Sequence, residues 1–187
     1  MSLSVIVADD LSGAYKEGDQ WDILSGQGHY EELLCGLKFT VSPFAFFQVN
    51  TIVFEKMLAL ITEFAGIDQS TLLFDICCGT GAIGLCLSKN AKRVIGVELI
   101  EQAVENAKKN VELNEGTLDS SKISFYAGRA ENVLPPIALE ESQSSNSQKI
   151  VGIVDPPRSG LHRDVLKCLR TCKGLDRLVY VSCNAQS

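Results

Sequence analysis

Short apolar runs alternate with helical patterns from residue 71 onward, and this alternation constrains the fold more than any other feature of the sequence. The apolar runs predict strands over residues 71–76, 93–97, 123–127, 150–154 and 178–182, and the helical patterns predict helices over 82–89, 101–114 and 163–172. Strands that alternate with helices form parallel sheets, and strands that are apolar throughout have both faces covered. The sequence therefore predicts the α/β class, with a doubly wound, mostly parallel sheet.

A β-rich leader over residues 1–50 precedes this core, which is expected to span residues 51–187. The leader shows strand patterns over residues 30–50. Asn50 is suited to cap an amphipathic helix that Gly66 ends. Residues 140–149 have only polar side chains and are expected to form a flexible surface insertion. The chain stops just after a strand, so we expect the core to be incomplete at its C-terminal end.

Composition and charge exclude several classes of protein. The 187 residues are 45% hydrophobic and 21% charged, which is typical of a single packed unit. The net charge of −6 has the wrong sign for a domain that holds nucleic acid by broad phosphate neutralisation. The longest apolar-rich run, residues 72–87, contains Asp75 and three glycines and is not a membrane span. The first residues show no secretory signal, and the seven cysteines are an odd number that argues against a disulfide scaffold. We therefore expect a cytoplasmic protein, with a nuclear location left open.

The strongest local motif is Asp75-x-x-x-Gly79-x-Gly81-x-x-Gly84, which follows a predicted strand and opens a predicted helix. Glycines allow a tight turn and let a ligand approach the backbone closely. Glu98, at the end of the next strand, is placed to bind the ribose hydroxyls of a nucleotide cofactor. The motif by itself fits a dinucleotide and S-adenosylmethionine equally, and a purely structural turn stays open.

A second motif, Asp155-Pro156-Pro157-Arg158, follows the fourth predicted strand at its carboxyl end, where ligands bind in open α/β sheets. Consecutive prolines fix the backbone and aim the Asp155 carboxylate into the crevice. Methyltransferases that act on planar amino groups use a related Asn/Asp-Pro-Pro-aromatic loop, but Arg158 stands where the aromatic residue would stack. Amino-group methylation is therefore the second hypothesis, and a rigid structural turn is the plain alternative.

Cys183 follows the fifth predicted strand, within Ser182-Cys183-Asn184. A cysteine at the mouth of a crevice serves as a thiolate nucleophile when neighbouring charges or dipoles lower its pKa. Lone cysteines are more often small buried side chains, which is our interpretation of Cys35, Cys86, Cys168 and Cys172. His29 and His162 are isolated, and Cys77-Cys78 has no partner at metal-ligand spacing, so no metal site is expected.

Together with the upstream segment Ser42-Pro43-x-Ala45-Phe46-Phe47-Gln48-Val49-Asn50, these motifs resemble the S-adenosylmethionine-dependent RNA uracil-5-methyltransferases over roughly residues 29–187. The resemblance implies a Rossmann-like methyltransferase fold, S-adenosylmethionine as cofactor and uridine in RNA, above all tRNA, as substrate. It implies that Cys183 is the catalytic nucleophile. The residues expected to bind the cofactor are Gln48, Asp75, Cys77, Gly79, Gly81, Glu98 and Asp155.

The same resemblance implies parts that this sequence does not show. Members of the family have a carboxylate general base in a segment after the cysteine, and usually an RNA-binding domain before the leader. We therefore expect tRNA to be held largely by regions outside this chain and turnover by the chain alone to be weak or absent. We also expect a monomer. Three hypotheses stay open: an RNA uracil-5-methyltransferase, an amino-group methyltransferase and a dinucleotide-binding module of dehydrogenase type.

Overall fold

Two antiparallel strand pairs occupy the N-terminal part of the computed structural model, which describes residues 3–7, 20–42, 46–144, 149–157, 160–172 and 174–182. The first pair joins β1 (Leu3–Val7) to β2 (Gln20–Ser25), and the second joins β3 (Tyr30–Leu34) to β4 (Leu37–Val41). The predicted β-rich character of this region is confirmed. The strands stop at Val41, however, and residues 46–50 form none, although the sequence predicted strand character up to residue 50.

Helix α1 (Thr51–Ala65) begins and ends where its sequence predicts. The Asn50 side chain accepts a hydrogen bond from Val53 N at 3.1 Å and so satisfies one of the free N–H groups at the helix start. Gly66 ends the helix in the left-handed region, with φ of 59°. Every fourth or third residue of α1 is buried, which gives the helix one apolar face toward the core.

Five parallel strands form the central sheet, in the spatial order β7-β6-β5-β8-β9. Their bounds are β5 (Thr71–Ile76), β6 (Arg93–Glu98), β7 (Ile123–Ala127), β8 (Lys149–Val154) and β9 (Leu175–Tyr180). The chain builds outward from β5 in one direction through β6 and β7, and then returns to the other side of β5 with β8. This reversal creates a crevice at the carboxyl ends of β5 and β8, which is where ligands bind in sheets of this kind.

Helices cover both faces of the sheet. Their bounds are α2 (Ala82–Leu87), α3 (Glu101–Leu113), α4 (Ala130–Ser144) and α5 (Arg163–Thr171). Alternate residues of β5 divide between two cores, because Leu73 packs with α1, α2 and α3, whereas Leu72 and Phe74 pack with α4 and α5. The predicted doubly wound α/β fold is confirmed. None of the described helices is both long and apolar enough to cross a membrane.

Helix α4 is an element that the sequence analysis missed. Residues 140–144, predicted to belong to a flexible insertion, are the last turn of this helix, and Lys149 is the first residue of β8. The prediction of an insertion was therefore wrong for those positions, and residues 145–148 lie outside the described part. Pro135 and Pro136 lie within α4, and the sequence did not predict this helix because proline ordinarily breaks a helix. Both prolines are exposed, while Leu134 beside them is buried against the sheet.

Strand β9 begins three residues earlier than predicted and ends two residues earlier. The prediction of its first residue was wrong because Asp176 and Arg177 are charged, and charged residues are unusual in a strand covered on both faces. β9 is an edge strand of the sheet, and its charged side chains find partners there. Asp176 Oδ2 accepts a hydrogen bond from Ile150 N at 2.8 Å, and an Arg177 guanidinium nitrogen donates to the carbonyl of Phe64 at 3.1 Å.

Two buried asparagines, Asn110 of α3 and Asn114 directly after the helix, attach the β3–β4 hairpin to the core. Asn114 Oδ1 accepts from Lys38 N at 2.9 Å, and Asn114 Nδ2 donates to the Lys38 carbonyl at 2.7 Å. Asn110 Oδ1 accepts from Thr40 N at 2.9 Å, and its Nδ2 donates to the Thr80 carbonyl at 3.1 Å. Helix α3 therefore bonds to β4 much as a neighbouring strand would. Asn110 also ties the hairpin to the glycine-rich turn after β5.

Replacing Asn110 by alanine is expected to lower the free energy of unfolding by about 2 kcal/mol, because it leaves the Thr40 N–H and the Thr80 carbonyl without their partner. Urea unfolding followed by circular dichroism measures the loss. Asn106→Ala is the matched control, since Asn106 lies on the same helix but is only half-buried and donates one long bond, 3.3 Å, to Ser42. Equal losses in the two variants would contradict the role given to Asn110.

Candidate functional site

Three carboxylates meet at the carboxyl edge of the sheet. Asp75 is the penultimate residue of β5, Glu98 is the last residue of β6, and Asp155 directly follows β8. The strand register aligns Ile76 of β5 with Val97 and Val154 of its two neighbours, so the three acidic residues are at nearly the same level. Parallel strands present their carboxyl ends at one edge, and this is why residues far apart in sequence converge here.

The glycine-rich turn after β5 closes over this edge. Cys77 is one of two described non-glycine residues with positive φ, at 63°, and its N–H donates to the Val97 carbonyl at 2.9 Å. Gly81 has φ of 81°, and a Cβ atom there would lie 2.7 Å from the ring of Phe125. Only glycine fits that position, because the conformation disfavours other residues and the ring occupies the space of a side chain.

Asp75 fastens helix α2 to strand β5. The residue is fully buried, and its Oδ2 accepts a hydrogen bond from Gly84 N at 2.8 Å. A Cβ atom at Gly84 would lie 2.9 Å from that same oxygen, so the glycine permits the close approach of helix and strand. The other oxygen, Oδ1, is buried and has no hydrogen-bond partner among the described residues. A buried carboxylate oxygen without a partner is costly, which marks Asp75 as a functional candidate.

Glu98 holds the opposite side of the turn. Its Oε2 accepts from Gly79 N at 3.1 Å, and its Oε1 accepts from Ile100 N at 3.0 Å. Space opens above the turn at Gly79, because a Cβ atom built there would meet no atom within 4 Å. Leu99 and Ile100, next to Glu98, expose apolar side chains at the rim. The rim thus offers carboxylate, backbone N–H and apolar groups to a ligand.

The clustering of carboxylates in a buried place changes the acidity of the groups around it. Burial, reinforced by the charges of Asp155 and Glu98, raises the pKa of Asp75 to about 7, although the bond from Gly84 N opposes the shift. Burial also raises the pKa of Asp155. The pKa of Cys77 rises to about 12, through burial first and then the three carboxylates. Cys77 is therefore a neutral thiol and not a nucleophile.

The structure brings together most of the residues that the sequence predicted for a site. Asp75, Cys77, the glycines at 79 and 81, Glu98 and Asp155 all lie in or beside the crevice. Gln48 is half-buried in the segment before α1, and no hydrogen bond links it to a described residue of the crevice, so its role stays a prediction. Cys183 lies outside the described residues. Val181, close before it, donates its N–H to the Val154 carbonyl at 2.8 Å, at this same edge.

One contributor to the site escaped the sequence analysis. Asn110 supports the turn through the Thr80 carbonyl. The sequence does contain a signal for this role. Asn110 lies three residues after Ala107 on the buried face of the predicted helix, where a polar side chain requires hydrogen-bond partners.

A group of possible metal ligands lies at the first turns of α4 and α5. Glu131, His162 and Asp164 place one ligand atom each within 4.8 Å of one another. An Arg129 nitrogen already lies 3.7 Å from Glu131 Oε1, and His162 Nδ1 lies 3.3 Å from Asp164 Oδ2. The geometry alone does not make a metal site, and the absence of a bound metal stays a prediction.

A doubly wound sheet with a glycine turn after its first strand and acidic residues at three neighbouring strand ends defines the class: a Rossmann-like methyltransferase fold. The chain also matches the model of the tRNA (uracil-5-)-methyltransferase family over residues 36–187, and it belongs to this family. The resemblance that the motifs indicated is thereby confirmed.

Individual relatives agree with this assignment. The chain is 44% identical to human tRNA (uracil-5-)-methyltransferase homolog A over 172 residues, which are 92% of this chain and 26% of the relative. It is 43% identical to mouse tRNA (uracil-5-)-methyltransferase homolog B, over 87% of this chain and 32% of the relative. The chain thus spans about a quarter to a third of the length of these curated relatives.

Solved structures show the same fold. The tRNA (uracil-54, C5)-methyltransferase of Pyrococcus abyssi in complex with S-adenosyl-L-homocysteine is 27% identical and superposes with a TM-score of 0.67, covering 97% of this chain and 41% of that one. Trm5b from Pyrococcus abyssi, at 12% identity and a TM-score of 0.61, covers 91% of this chain and 44% of its own, and shares the fold.

Proposed function

We propose that this chain binds S-adenosylmethionine in the crevice and transfers its methyl group to carbon 5 of uridine in tRNA, through a covalent adduct of Cys183 with carbon 6 of the base. The observation that supports the proposal most directly is the convergence of Asp75, Glu98 and Asp155 around the glycine turn, in a chain of the uracil-5-methyltransferase family. The match to a structure that holds S-adenosyl-L-homocysteine supports the choice of cofactor.

The residues present suit this cofactor. When bound, S-adenosylmethionine supplies an electrophilic methyl group on a positively charged sulfonium. The carboxylates of Glu98 and Asp155 give the crevice negative charge, which attracts a cation. The open space over Gly79 leaves room for a ligand against the backbone. The same negative charge would repel the pyrophosphate of a dinucleotide. This favours S-adenosylmethionine over the hypothesis of a dinucleotide-binding module of dehydrogenase type.

Each crevice residue then has a task. Glu98 accepts hydrogen bonds from the ribose hydroxyls, as an acidic residue at the end of the second strand does in nucleotide-binding folds. Asp155, held by Pro156 and Pro157, faces the ligand from β8 and is also placed to hydrogen-bond the edge of the uracil. Cys77 lines the pocket as a neutral thiol within the turn. Asp75 holds the turn in shape through Gly84 N.

Cys183 activates the base in this proposal. Carbon 5 of uracil is a poor nucleophile, so the Cys183 thiolate adds to carbon 6 and the electron pair of the carbon 5–carbon 6 double bond moves into an enolate. Carbon 5 of this enolate would take the methyl group from the sulfonium, whose sulfur would keep the electron pair of the broken bond and leave as a neutral thioether. A general base then removes the proton from carbon 5, the double bond re-forms, and the Cys183 sulfur leaves as a thiolate. The uridine must leave its stacked position to enter the crevice.

The amino-group alternative is less well supported. It gives Cys183 no task, and it places Arg158 where an aromatic residue is needed. The test is methyl transfer from tritiated S-adenosylmethionine to a uridine-containing tRNA transcript by a full-length enzyme that contains this chain, followed by nucleoside analysis. Label in 5-methyluridine supports the proposal. Label in a methylated exocyclic amino group, with none in 5-methyluridine, would overturn it in favour of the alternative.

Glu98→Ala is expected to weaken S-adenosylhomocysteine binding by about 1.5–3 kcal/mol, or roughly 10- to 150-fold in Kd, because hydrogen bonds to a charged acceptor are lost. Isothermal titration calorimetry measures the change. Glu101→Ala is the matched control, since Glu101 is an exposed carboxylate three residues away at the start of α3. Unchanged affinity in Glu98→Ala, or equal weakening in both variants, would remove Glu98 from the binding site.

A further inference from the structure

Helix α5 carries a continuous row of basic side chains on its outer face. Arg163, Lys167 and Arg170 are all exposed, and we call this row the α5 basic stripe. Each residue of a helix turns by about 100°, so the three side chains fall within about 60° of one another. The residues on the opposite side of the helix are buried against the sheet, namely Val165, Cys168 and Leu169. The stripe therefore points directly away from the core.

The charges of the stripe are not neutralised by neighbours. No carboxylate of a described residue lies within 4.0 Å of any of the three, whereas Lys108 pairs with Glu105 on α3 at 2.8 Å. The acidic residue of the same helix, Asp164, faces His162 Nδ1 at 3.3 Å. Counting the three basic residues against Asp164, α5 has a charge of about +2 with His162 neutral, while the whole chain has −6. Helix α5 is thus a locally positive element of an acidic protein.

The position of the stripe relates it to the crevice. Helix α5 follows β8 after the loop that starts with Asp155, so Arg163 lies at the end of the helix that is nearer to the carboxyl edge. From Arg163 to Arg170 the helix rises about 10 Å. The stripe therefore extends about 10 Å from the crevice end of the helix, so that it can contact more than one phosphate of a bound strand.

We propose that the α5 basic stripe is a docking surface for the phosphate backbone of the RNA whose uridine enters the crevice. The proposal rests on the function proposed above and adds a surface to it: the stripe contacts phosphates and the crevice contacts the base. Phosphate contacts fix the register of a nucleic acid without reading its sequence. The acidic remainder of the chain repels RNA and so confines the contact to this side.

The test compares two triple variants that remove the same charge. The first, Arg163→Gln with Lys167→Gln and Arg170→Gln, removes the stripe. The control, Lys89→Gln with Lys108→Gln and Lys109→Gln, removes three exposed lysines on the other face of the sheet. Binding of a fluorescent tRNA transcript to the 187-residue chain is measured by anisotropy from 50 to 200 mM salt. The stripe variant is expected to bind about tenfold or more weakly at 50 mM salt, with a slope of log K against log salt that is smaller by about 2 to 3.

Several outcomes would overturn the proposal. One is an unmodified chain that shows no salt-dependent RNA binding, and another is an equal loss of RNA affinity in the two triple variants. A third is poly-glutamate binding as tight as RNA binding, which would assign the stripe to an acidic protein partner. Calorimetry with S-adenosylhomocysteine checks that both variants keep an intact crevice. The methylation assay is read separately. If the stripe variant loses RNA affinity while a full-length enzyme that contains this chain labels no uridine, the docking surface stands and the proposed reaction fails.

Discussion

In a full-length enzyme that contains this chain, replacing Cys183 by alanine is expected to abolish methyl transfer to uridine, with a loss of at least about 10³-fold, while Kd for S-adenosylhomocysteine changes by less than about twofold. The two effects separate because the thiolate acts on the base and makes no bond to the cofactor. Methyl transfer to tRNA and calorimetric titration measure them on the same preparations. A Cys183→Ala variant that keeps half of the normal rate of methyl transfer to uridine would contradict the covalent mechanism.

A trapping experiment tests the same cysteine without turnover. Fluorine at carbon 5 cannot leave as a proton, so an RNA that contains 5-fluorouridine should stay attached to Cys183 after methyl transfer. The attached RNA appears as a slow band on a denaturing gel when cofactor is present. Cys183→Ala should show no such band. Cys35→Ala is the matched control, since Cys35 is an exposed thiol on the hairpin, and it should trap as the unmodified chain does.

The second large effect concerns the pH dependence of stability, and its source is Asp75. The pKa of this carboxyl rises from 3.8 to about 7 on folding, mainly through burial. Between these pH values the folded state binds a proton that the unfolded state has released, so the free energy of unfolding falls as pH rises through this window. The full shift corresponds to up to about 4 kcal/mol, of which about 2–3 kcal/mol is lost between pH 5 and pH 8.

Asp75→Asn is expected to remove the fall in the free energy of unfolding between pH 5 and pH 8. The amide carries no charge at either pH, and its carbonyl oxygen still accepts a hydrogen bond from Gly84 N. Urea unfolding at pH 5 and pH 8 gives the change for each protein. Glu112→Gln serves as the control, since Glu112 is an exposed carboxylate on α3 and its removal should leave the loss in place. An Asp75→Asn variant that loses as much stability as the unmodified chain between the two pH values would show that the buried carboxyl is ionised throughout.

Residues 71–98 show why the centre of the fold could be predicted from the sequence. The strand over 71–76 is apolar throughout, and the glycine motif that follows allows few conformations other than a tight turn into a helix. Glu98 could be placed beside Gly79 without a structure, because parallel strands present their carboxyl ends together, and the distance of 3.1 Å between Glu98 Oε2 and Gly79 N agrees.

The missed features depend on contacts that local patterns do not carry. The prolines of α4 argue against a helix unless one knows that they face outward while Leu134 packs on the sheet. The start of β9 is charged, and only its place at the sheet edge makes Asp176 acceptable there. Burial of Asp75, and with it the rise in its pKa, likewise follows from the packing of α2 and not from the motif.

The bonding of Asn110 and Asn114 to β4 has a consequence for how this protein can vary. Both amides bond to the main-chain atoms of Lys38 and Thr40, and neither touches a side chain of that strand through these bonds. The junction therefore tolerates almost any residue at the exposed position 38 without loosening the hairpin. Proline is the exception at both positions, because it removes the N–H that each asparagine oxygen needs. Of the twenty amino acids, proline is thus the one that these hydrogen bonds exclude from positions 38 and 40.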